Sequence, residues 1–471
     1  MNRHHVIGAT LLCAATLFAA ERPKYVFVFI GDGMSMPQRM VAEEFAEKAG
    51  HGELAMNRLP YQVSTRTRSA NSIITDSAAA ATAIACGVKT NNGMLGILPD
   101  GTPVKSVAEV AKEAGMKVGI VTTTSISHAT PAGFYAHRKH RGEIYRIGLD
   151  LVSSGFDYFA GGGMSGREDD RTDEMYRGNI YDLAGSAGYV LATNRAAWAA
   201  LRPGKKALCL FTSFHFSFAL DRDPAVQPSL AEIVEKGIEL LDNPKGFFMM
   251  CEGGTLDFAG HANDAATNLR EALALDEAVK TALSFADRHP DETLIIVTGD
   301  HETGGLSMGF AGTGGKFYVD LLARQKCSTE IFSKIIKERL RDNINLTFDD
   351  MKPLVEEKFG LVFDGRPDDP MLVTDAERKQ MKAALEKDRS YVRVKMADTT
   401  AHDAKRRYVF ASAVRGVLAA HAGVGWSSGS HTALPTLTTA KGCGADILVG
   451  MAENTDIGIR LKNMLGSASA R

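Results

Sequence analysis

The sequence predicts an α/β fold of three layers, in which a large, mostly parallel central sheet is flanked by helices on both faces. Apolar runs rich in Val, Ile and Phe end in glycine and polar residues within 24–34, 246–261 and 293–302. Continuous runs of this kind are typical of central strands that are buried on both faces. Segments with helical periodicity separate these runs, and such an alternation of strand and helix favours a parallel sheet.

The remaining elements follow the same alternation. Ser35 and Gln38 form a capping-box pattern, which predicts a helix from this point to Ala49. Apolar residues at helical spacing predict a long helix over 264–288. Further strands are predicted at 116–123, 156–160 and 207–212.

Residues 312–402 differ from the rest because charge rises and strand-like runs fade. Thr374 and Glu377 form a second capping box. An apolar stripe at helical spacing, typical of a core-facing helix, comprises Ile331, Ile335, Ile336 and Leu340. We therefore predict a helical insertion over 312–402, whose role as a lid or an interface element stays open. A helix over 404–420 then returns to the α/β frame.

Length and composition predict one elaborated domain over residues 21–471. The chain has 471 residues, of which 45% are hydrophobic, so it can bury a sizeable core. The formal net charge is −2, which gives no electrostatic reason to expect binding to nucleic acid or to an anionic membrane. A positive field for an anionic ligand would have to be local.

Residues 1–20 have the layout of a secretory signal peptide. A short basic start precedes an apolar stretch, and the small residues Ala19 and Ala20 precede a charged segment. The apolar stretch is too short for a permanent membrane span, and no other stretch predicts one. We therefore expect cleavage near Ala20 and a secreted protein, periplasmic or extracellular. The five cysteines after this segment match no metal motif or dense disulfide framework.

Carboxylates and imidazoles follow the three central strands. They are Asp32, Glu252, Asp257, His261, Asp300 and His301. A single aspartate at a strand end is usually a turn or cap residue. Because ligands collect at the carboxyl ends of parallel strands, three strands that end in this way favour one shared site.

Ser77 lies at the start of an alanine-rich segment, after Thr75 and Asp76. The first N–H groups of a helix and its dipole favour an anion, so this position suits a phosphate and a nucleophile. A serine here is also an ordinary N-cap residue. This segment alone leaves both interpretations open.

Several polar motifs occur along the chain. They are Gly31-Asp32-Gly33-Met34, Thr75-Asp76-Ser77-Ala78-Ala79, His128-Ala129-Thr130-Pro131-Ala132, Ala136-His137 followed by Arg141, Glu252-Gly253-Gly254 with Asp257 and His261, Thr298-Gly299-Asp300-His301, and Ser428-Gly429-Ser430-His431-Thr432. With these motifs the chain resembles the alkaline phosphatases, from residue 24 to the C-terminus and in the family's order. Only 312–402 matches poorly.

The resemblance implies hydrolysis of phosphate monoesters, with Ser77 as the nucleophile that forms a phosphoserine. Arg141 would clamp the phosphate, because a guanidinium can grip two phosphoryl oxygens at once, and Asp76 would orient Arg141. The implied ions are two zinc ions and one magnesium ion. Their implied ligands are Asp257, His261 and His431 for the first zinc, Asp32, Asp300 and His301 for the second, and Asp32, Thr130 and Glu252 for the magnesium. The family also implies a homodimer.

Two positions depart from the family's pattern. His128 stands where an aspartate often lies, and Phe258 stands where a lysine or histidine can occur. Oxygen ligands suit magnesium, whereas an imidazole suits zinc or another transition metal. His128 is either a ligand or a neighbour of the ligands. The identity of the third ion therefore stays open.

Two other functions stay open. One is a related metalloenzyme, a phosphodiesterase or an arylsulfatase, although a sulfatase needs x-Pro-x-Arg after its nucleophile and Ser77 is followed by four alanines. Arg141 favours monoesters because a diester has fewer charged oxygens. The other is a secreted metal- or phosphate-binding protein without activity, which would have no need to keep Ser77 and Arg141. The physiological substrate, pH optimum and dimer interface are not specified by the sequence.

Overall fold

The computed structural model describes residues 22–397 and 408–466. The predicted signal segment, residues 398–402 of the predicted insertion and residues 404–407 of the last predicted helix lie outside the described residues. Within the described ranges, no helix is both long and apolar enough to cross a membrane.

The described residues form thirteen strands: β1 Tyr25–Gly31, β2 Tyr61–Thr65, β3 Lys117–Ser125, β4 Tyr158–Gly162, β5 Tyr189–Ala192, β6 Lys206–Leu210, β7 Phe247–Gly253, β8 Thr293–Gly299, β9 Glu302–Thr303, β10 Leu306–Met308, β11 Val424–Trp426, β12 His431–Thr432 and β13 Thr436–Gly442. They also form fifteen α-helices: α1 Met36–Lys48, α2 Ser77–Cys86, α3 Val107–Glu113, α4 Ala129–Ala132, α5 Ile144–Ser154, α6 Ile180–Ser186, α7 Arg195–Ala199, α8 Leu230–Leu241, α9 Thr255–His261, α10 Ala265–Ala286, α11 Thr329–Asp342, α12 Phe348–Phe359, α13 Asp375–Ala397, α14 Val409–His421 and α15 Thr455–Gly466.

Nine strands form the central sheet in the order β2-β13-β8-β1-β7-β3-β4-β6-β5. Neighbouring strands are parallel except where β13 pairs with β8 and β2. Gly31 at the end of β1 is in register with Gly253 of β7 and Gly299 of β8. The carboxyl ends of these three central strands therefore lie side by side.

Both faces of the sheet are covered, which confirms the predicted three layers. Alternate side chains of β1 enter different cores, with Phe27 and Phe29 on one face and Val26 and Val28 on the other. The first core includes buried residues of α1, α8, α10 and α14, and the second includes those of α2, α3, α5 and α15. A strand buried on both faces needs no polar alternation, which is why β1 reads as a continuous apolar run.

The long predicted strands and helices are confirmed with shifted ends, whereas shorter strands were missed. β1, β3, β4, β6, β7 and β8 lie in the predicted runs, and α1 and α10 match the predicted helices. The strands β2 and β5 close the two edges of the sheet and are partly exposed, so they lack a continuous apolar run. β13 is largely buried but rich in threonine, so it lacks the continuous apolar run that predicts a buried strand.

The stretch 312–402 contains α11, α12 and α13. Of the predicted apolar stripe, Ile336 and Leu340 are buried, while Ile331 and Ile335 are partly buried against the same core. This core is continuous with the one beneath α1 and α10. Thr374 and Glu377 also form the predicted capping box, because the Thr374 N–H donates to Glu377 Oε2 at 2.8 Å. The helices of this stretch thus rest on the sheet's own core.

Candidate active site

The carboxyl ends of β1, β7 and β8 carry the predicted polar residues. Asp32 follows β1, Glu252 lies in β7, and Asp300 and His301 follow β8. Asp257 and His261 lie in α9, four residues apart, so both project from one face of this helix. Because the three strands are in register, the sheet brings these residues to one edge, as predicted.

The outer group consists of Asp257, His261 and His431. His261 Nε2 lies 3.2 Å from His431 Nε2 and 3.4 Å from Asp257 Oδ2. The Nδ1 atoms contact backbone oxygens, that of His261 at 2.8 Å from Gly429 O and that of His431 at 2.9 Å from Thr75 O. Because a carbonyl only accepts, each Nδ1 carries the ring proton and each Nε2 presents a lone pair. Two facing lone pairs beside a carboxylate form a ligand set for a cation.

The inner group consists of Asp32, Asp300 and His301, whose side chains are fully buried. His301 Nε2 lies 3.3 Å from Asp32 Oδ1 and 3.2 Å from Asp300 Oδ2. Burial and repulsion between the carboxylates raise the pKa of Asp32 and of Asp300 well above the ordinary value. Burial lowers the pKa of His301 well below its ordinary value, so its ring is neutral. No cationic side chain therefore balances this group from within.

Asp257 links the two groups, because its ligand atom lies within 4.8 Å of those of Asp32 and His301. Thr303 strengthens the link. Its hydroxyl donates to Asp257 Oδ1 at 2.5 Å and lies 3.3 Å from His301 Nδ1. No sequence pattern indicates a role for Thr303, since nothing distinguishes this threonine from an ordinary strand residue. Pairing of β9 with β12 then places Thr303 opposite His431.

Thr130 and Glu252 lie on the other side of Asp32. The Thr130 hydroxyl donates to Asp32 Oδ2 at 3.2 Å. Glu252 Oε2 accepts from the hydroxyl of Thr122 and, at 3.3 Å, from that of Thr124. Burial raises the pKa of Glu252 to about 7. Ligand atoms of Asp32 and Glu252 lie within 4.8 Å of each other, and His128 lies within the same distance of both. Asp32, Thr130 and Glu252 form a third group, composed of oxygen atoms.

His128 lies between the third group and Arg141. Its Nδ1 is 3.9 Å from Asp32 Oδ2 and 4.0 Å from Glu252 Oε1, too far for hydrogen bonds. Its Nε2 lies 3.0 Å from Arg141 Nη2. A guanidinium only donates, so Nε2 accepts and the ring proton lies on Nδ1. Burial and the charge of Arg141 lower the pKa of His128 well below the ordinary value.

Ser77 is the first residue of α2, and its Oγ lies 3.2 Å from His301 Nε2. The N-cap residue is Asp76, whose Oδ1 accepts from the Ala79 N–H at 3.0 Å. The N-cap interpretation of Ser77 is therefore wrong by one position. Since Asp76 caps the helix, Ser77 has no capping role and its hydroxyl is directed to the inner group.

Arg141 is held beside Ser77 by the same acidic residue. Arg141 Nη1 donates to Asp76 Oδ2 at 3.1 Å, and this oxygen also accepts from the Gly93 N–H at 3.1 Å. The neighbouring Arg138 is bound elsewhere, since its Nε donates to Asp150 Oδ2 at 2.8 Å. The structure thus brings Asp76 and Arg141 together and leaves Arg138 outside the site.

Glu302 is a second residue that the sequence did not single out as functional. It is fully buried and accepts from Gln38 Nε2 at 2.7 Å, from the Gly305 N–H at 3.0 Å and from the Thr432 hydroxyl. These bonds tie α1 and β12 to the segment after β8. Glu302 thereby fixes the backbone that carries His301 and His431. Its partners are far apart in sequence, which is why no local pattern reveals its role.

The residues present fit divalent cations. Three buried carboxylate oxygens of the site have no hydrogen-bond partner among the described residues, namely Asp32 Oδ1, Glu252 Oε1 and Asp300 Oδ2. Unpaired carboxylate oxygens are costly inside a protein unless a cation binds them. Mixed imidazole and carboxylate ligands are typical of zinc sites, and oxygen ligands are typical of magnesium sites.

Comparisons with known proteins agree with this geometry. The family model for alkaline phosphatase matches residues 23–467. Alkaline phosphatase 4 of Bacillus subtilis is 31% identical over 452 residues, which cover 92% of this chain and 86% of that protein. An alkaline phosphatase of Schizosaccharomyces pombe is 36% identical over 309 residues, 61% of this chain and only 57% of that protein. The chain thus spans less than two thirds of this yeast relative's length.

A solved structure has the same fold. The cold-active alkaline phosphatase of the psychrophile Shewanella sp. superimposes with a TM-score of 0.77 and is 26% identical, and the match covers 94% of this chain and 99% of that chain. The family model thus matches nearly all of the sequence, and the whole fold is similar to that of a solved alkaline phosphatase. The chain belongs to the alkaline phosphatase family.

Proposed function

We propose that this protein hydrolyses phosphate monoesters through a covalent phosphoserine at Ser77. The observation that carries the proposal is the position of Ser77, at the start of α2 and 3.2 Å from His301 Nε2 in the inner group. A buried hydroxyl among carboxylates and imidazoles, with a guanidinium beside it, has the parts needed for phosphoryl transfer.

We propose that the outer and inner groups each hold a zinc ion and that the third group holds a magnesium ion. When bound, such ions lower the pKa of a coordinated hydroxyl or water and stabilise the charge of the transferring phosphoryl group. Unpartnered oxygens of Asp32, Glu252 and Asp300 support this assignment. Each ion would also relieve the repulsion that raises the pKa of the inner carboxyl groups.

In the first step, Ser77 Oγ bonds to phosphorus while the bond from phosphorus to the leaving alcohol breaks. The serine proton goes to solvent and the leaving oxygen takes up a proton. In the second step, water attacks phosphorus and gives up a proton, the bond to Oγ breaks, Oγ takes up a proton, and inorganic phosphate is released. The N–H groups at the start of α2 favour the anionic phosphoryl group in both steps.

Arg141 orients the phosphoryl group in this proposal. Asp76 and His128 contact separate Nη atoms of Arg141, at 3.1 and 3.0 Å. Fixing a guanidinium from two sides reduces the loss of freedom when it binds two phosphoryl oxygens. Because His128 Nε2 accepts from Arg141, its protonated Nδ1 offers no lone pair to the third group. This supports His128 as a positioning residue and magnesium as the third ion.

The test of the nucleophile is Ser77→Ala. We expect loss of turnover and of the acid-stable phosphoenzyme with an unchanged zinc content. Ser153→Ala is the control, since the Ser153 hydroxyl donates to Leu149 O within α5, away from the site. Unchanged turnover of the Ser77→Ala variant would exclude this mechanism. Rates on p-nitrophenyl phosphate and on its diester separate a monoesterase from a phosphodiesterase.

The test of Arg141 compares two neighbouring arginines. Arg141→Ala should lower kcat/KM about 100-fold, because the charge-assisted bonds to the phosphoryl group are lost. Arg138→Ala should leave kcat/KM nearly unchanged, since Arg138 pairs with Asp150. Equal losses in the two variants would remove Arg141 from the phosphate site.

We also propose that the mature protein is secreted, to the periplasm or outside the cell, and forms a homodimer. The support for secretion is the basic and apolar pattern of residues 1–20. The N-terminal mass of the exported protein tests cleavage near Ala20. Sedimentation of the mature protein tests the dimer, and a monomer at micromolar concentration would contradict it.

A further inference from the structure

An aromatic surface extends from His128 towards the solvent. Phe258 is edge-on to the His128 ring, with centroids 5.8 Å apart at 88°. The Phe214 ring stacks on the Phe258 ring, with centroids 6.0 Å apart and an angle of 21° between the ring planes. The His215 ring packs against the same Phe258 ring at a centroid distance of 5.3 Å. We call Phe214, His215 and Phe258 the aromatic platform. Since His128 contacts Arg141, the platform begins beside the proposed phosphate site.

Phe214 is exposed although its aromatic neighbours in sequence are packed inside. Its exposed fraction is 43%, against 2% for Phe216 and 5% for Phe218. An exposed phenyl ring that stacks on a second ring next to a reaction site presents apolar surface to solvent. Such surface is stabilised when a flat ring of a ligand covers it.

The backbone around Phe214 is fixed. The Gly163 N–H donates to Thr212 O at 2.7 Å, and the Ser165 N–H donates to Ser213 O at 2.9 Å. A Cβ on Gly162 would lie 1.8 Å from the Phe214 carbonyl oxygen, so only glycine permits this contact. The platform is therefore preorganised, which lowers the entropy lost when a ligand binds.

A polar cavity of about 210 Å³ adjoins the platform. Phe214 and His215 line it together with Asp221, Glu330 and Lys334. Lys334 Nζ lies 2.7 Å from Glu330 Oε1, and His215 Nε2 lies 3.4 Å from Glu330 Oε2. The cavity is smaller than a typical site for a whole ligand, roughly 300–1,000 Å³. It fits one ring system whose edge carries donors and acceptors.

We propose that the platform binds the ring of the leaving group, and that the preferred substrates are phosphate monoesters of nucleosides. A nucleobase has a flat face for Phe214 and a polar edge for the cavity. Glu330 is paired with Lys334 and His215, so the cavity offers both acceptors and donors to the edge of a base. This proposal rests on the proposed phosphomonoesterase function and specifies its substrate class.

The test compares AMP with glycerol 2-phosphate, which has no ring. In Phe214→Ala, the ratio of kcat/KM for AMP to that for glycerol 2-phosphate should fall about tenfold or more, the effect of losing one base stack. Phe214→Tyr should preserve the ratio, because it keeps the ring. Tyr318→Ala is the matched control, since Tyr318 is 42% exposed and lies outside the platform and the site. Its ratio should equal that of the wild type.

Inhibition by adenosine gives an independent measurement. Adenosine should compete with p-nitrophenyl phosphate, and its inhibition constant should rise about tenfold in Phe214→Ala. An unchanged ratio and an unchanged inhibition constant would overturn the platform while the enzyme still releases phosphate. A wild type that releases phosphate from neither substrate would instead overturn the proposed function.

Discussion

The inner and outer groups carry similar residue types but differ in burial. The side chains of Asp32, Asp300 and His301 are fully buried, whereas 32% of the His261 side chain and 14% of the His431 side chain are exposed. The inner group faces Ser77, while the outer group opens to solvent. The difference fits the proposed phosphoryl transfer, in which the nucleophile would need a dry, fixed environment and the leaving group would need a path to solvent.

The two groups also differ in how their shape is maintained. The outer imidazoles are oriented by backbone carbonyls, so their ring positions do not require a cation. In the inner group, Asp32 Oδ1 and Asp300 Oδ2 have no hydrogen-bond partner among the described residues, and their carboxylates repel each other. We therefore expect the inner group to depend more strongly on its ion than the outer group.

The largest effect is expected for Asp32→Asn. Asp32 belongs to the inner and third groups, so the change removes a charged ligand from both. Turnover should fall by about 1,000-fold or more, because several kcal/mol of charge stabilisation are lost. Excess zinc should not restore it. The control is Asp276→Asn, a buried aspartate that accepts from the Met56 N–H at 2.8 Å, and its zinc content should match the wild type.

His261→Ala tests the outer group in the same way. The variant removes an imidazole from a group that is already partly exposed to solvent. Water can replace this imidazole, so we expect an activity loss of about 10- to 100-fold, the range for weakened metal affinity. Activity should return as zinc is raised, which a zinc titration measures. If excess zinc rescued Asp32→Asn and not His261→Ala, the assignment of inner and outer groups would be reversed.

Thr303→Val tests the link between the groups. The variant keeps the shape of Thr303 but removes its bond to Asp257 Oδ1. We expect about a tenfold loss in zinc affinity or turnover, typical of a bond that orients a metal ligand. The control Thr281→Val removes a hydroxyl that donates to Glu277 O within α10. A loss of equal size in the control would show that Thr303 has no special role.

The smallest effect is a pH dependence of stability in the metal-free protein. The folded pKa of Glu252 is about 7, above the ordinary 4.5, so between these values the folded state binds more protons than the unfolded state. Its contribution to stability is thus present below pH 4.5 and is lost as the pH rises to 7. Between pH 5 and 7.5, the Tm of metal-free wild type should fall a few degrees more than that of Glu252→Gln. If the Tm of the two proteins fell equally with pH, the raised pKa of Glu252 would be contradicted.

The convergence of the site could be predicted because it depends on simple features of the strands. β1, β7 and β8 are long, apolar and parallel, so residues that follow them lie at one edge of the sheet. The edge strands β2 and β5 lacked this signal because one side of each meets solvent. A fold of this class is therefore best predicted at its centre.

The finer contacts could not be predicted, since they join residues that are distant in sequence. His431 meets the carbonyl of Thr75, His128 accepts from Arg141, and Phe214 stacks on Phe258. The helix α2 is capped by Asp76 and not by Ser77, one residue away from the capping position that the sequence allowed. Such a shift is expected because sequence patterns define helix ends less sharply than helix interiors. The roles of the site residues themselves stay predictions.

The central claim is that three ions lie at this edge of the sheet around Ser77. It is tested most directly by anomalous scattering from a phosphate-bound crystal, measured above and below the zinc absorption edge. We predict zinc peaks in the outer and inner groups, and at the third group an ion without a zinc signal, bound by Asp32, Thr130 and Glu252. Absence of zinc peaks from the outer and inner groups, or a zinc peak on His128 Nδ1, would contradict this account.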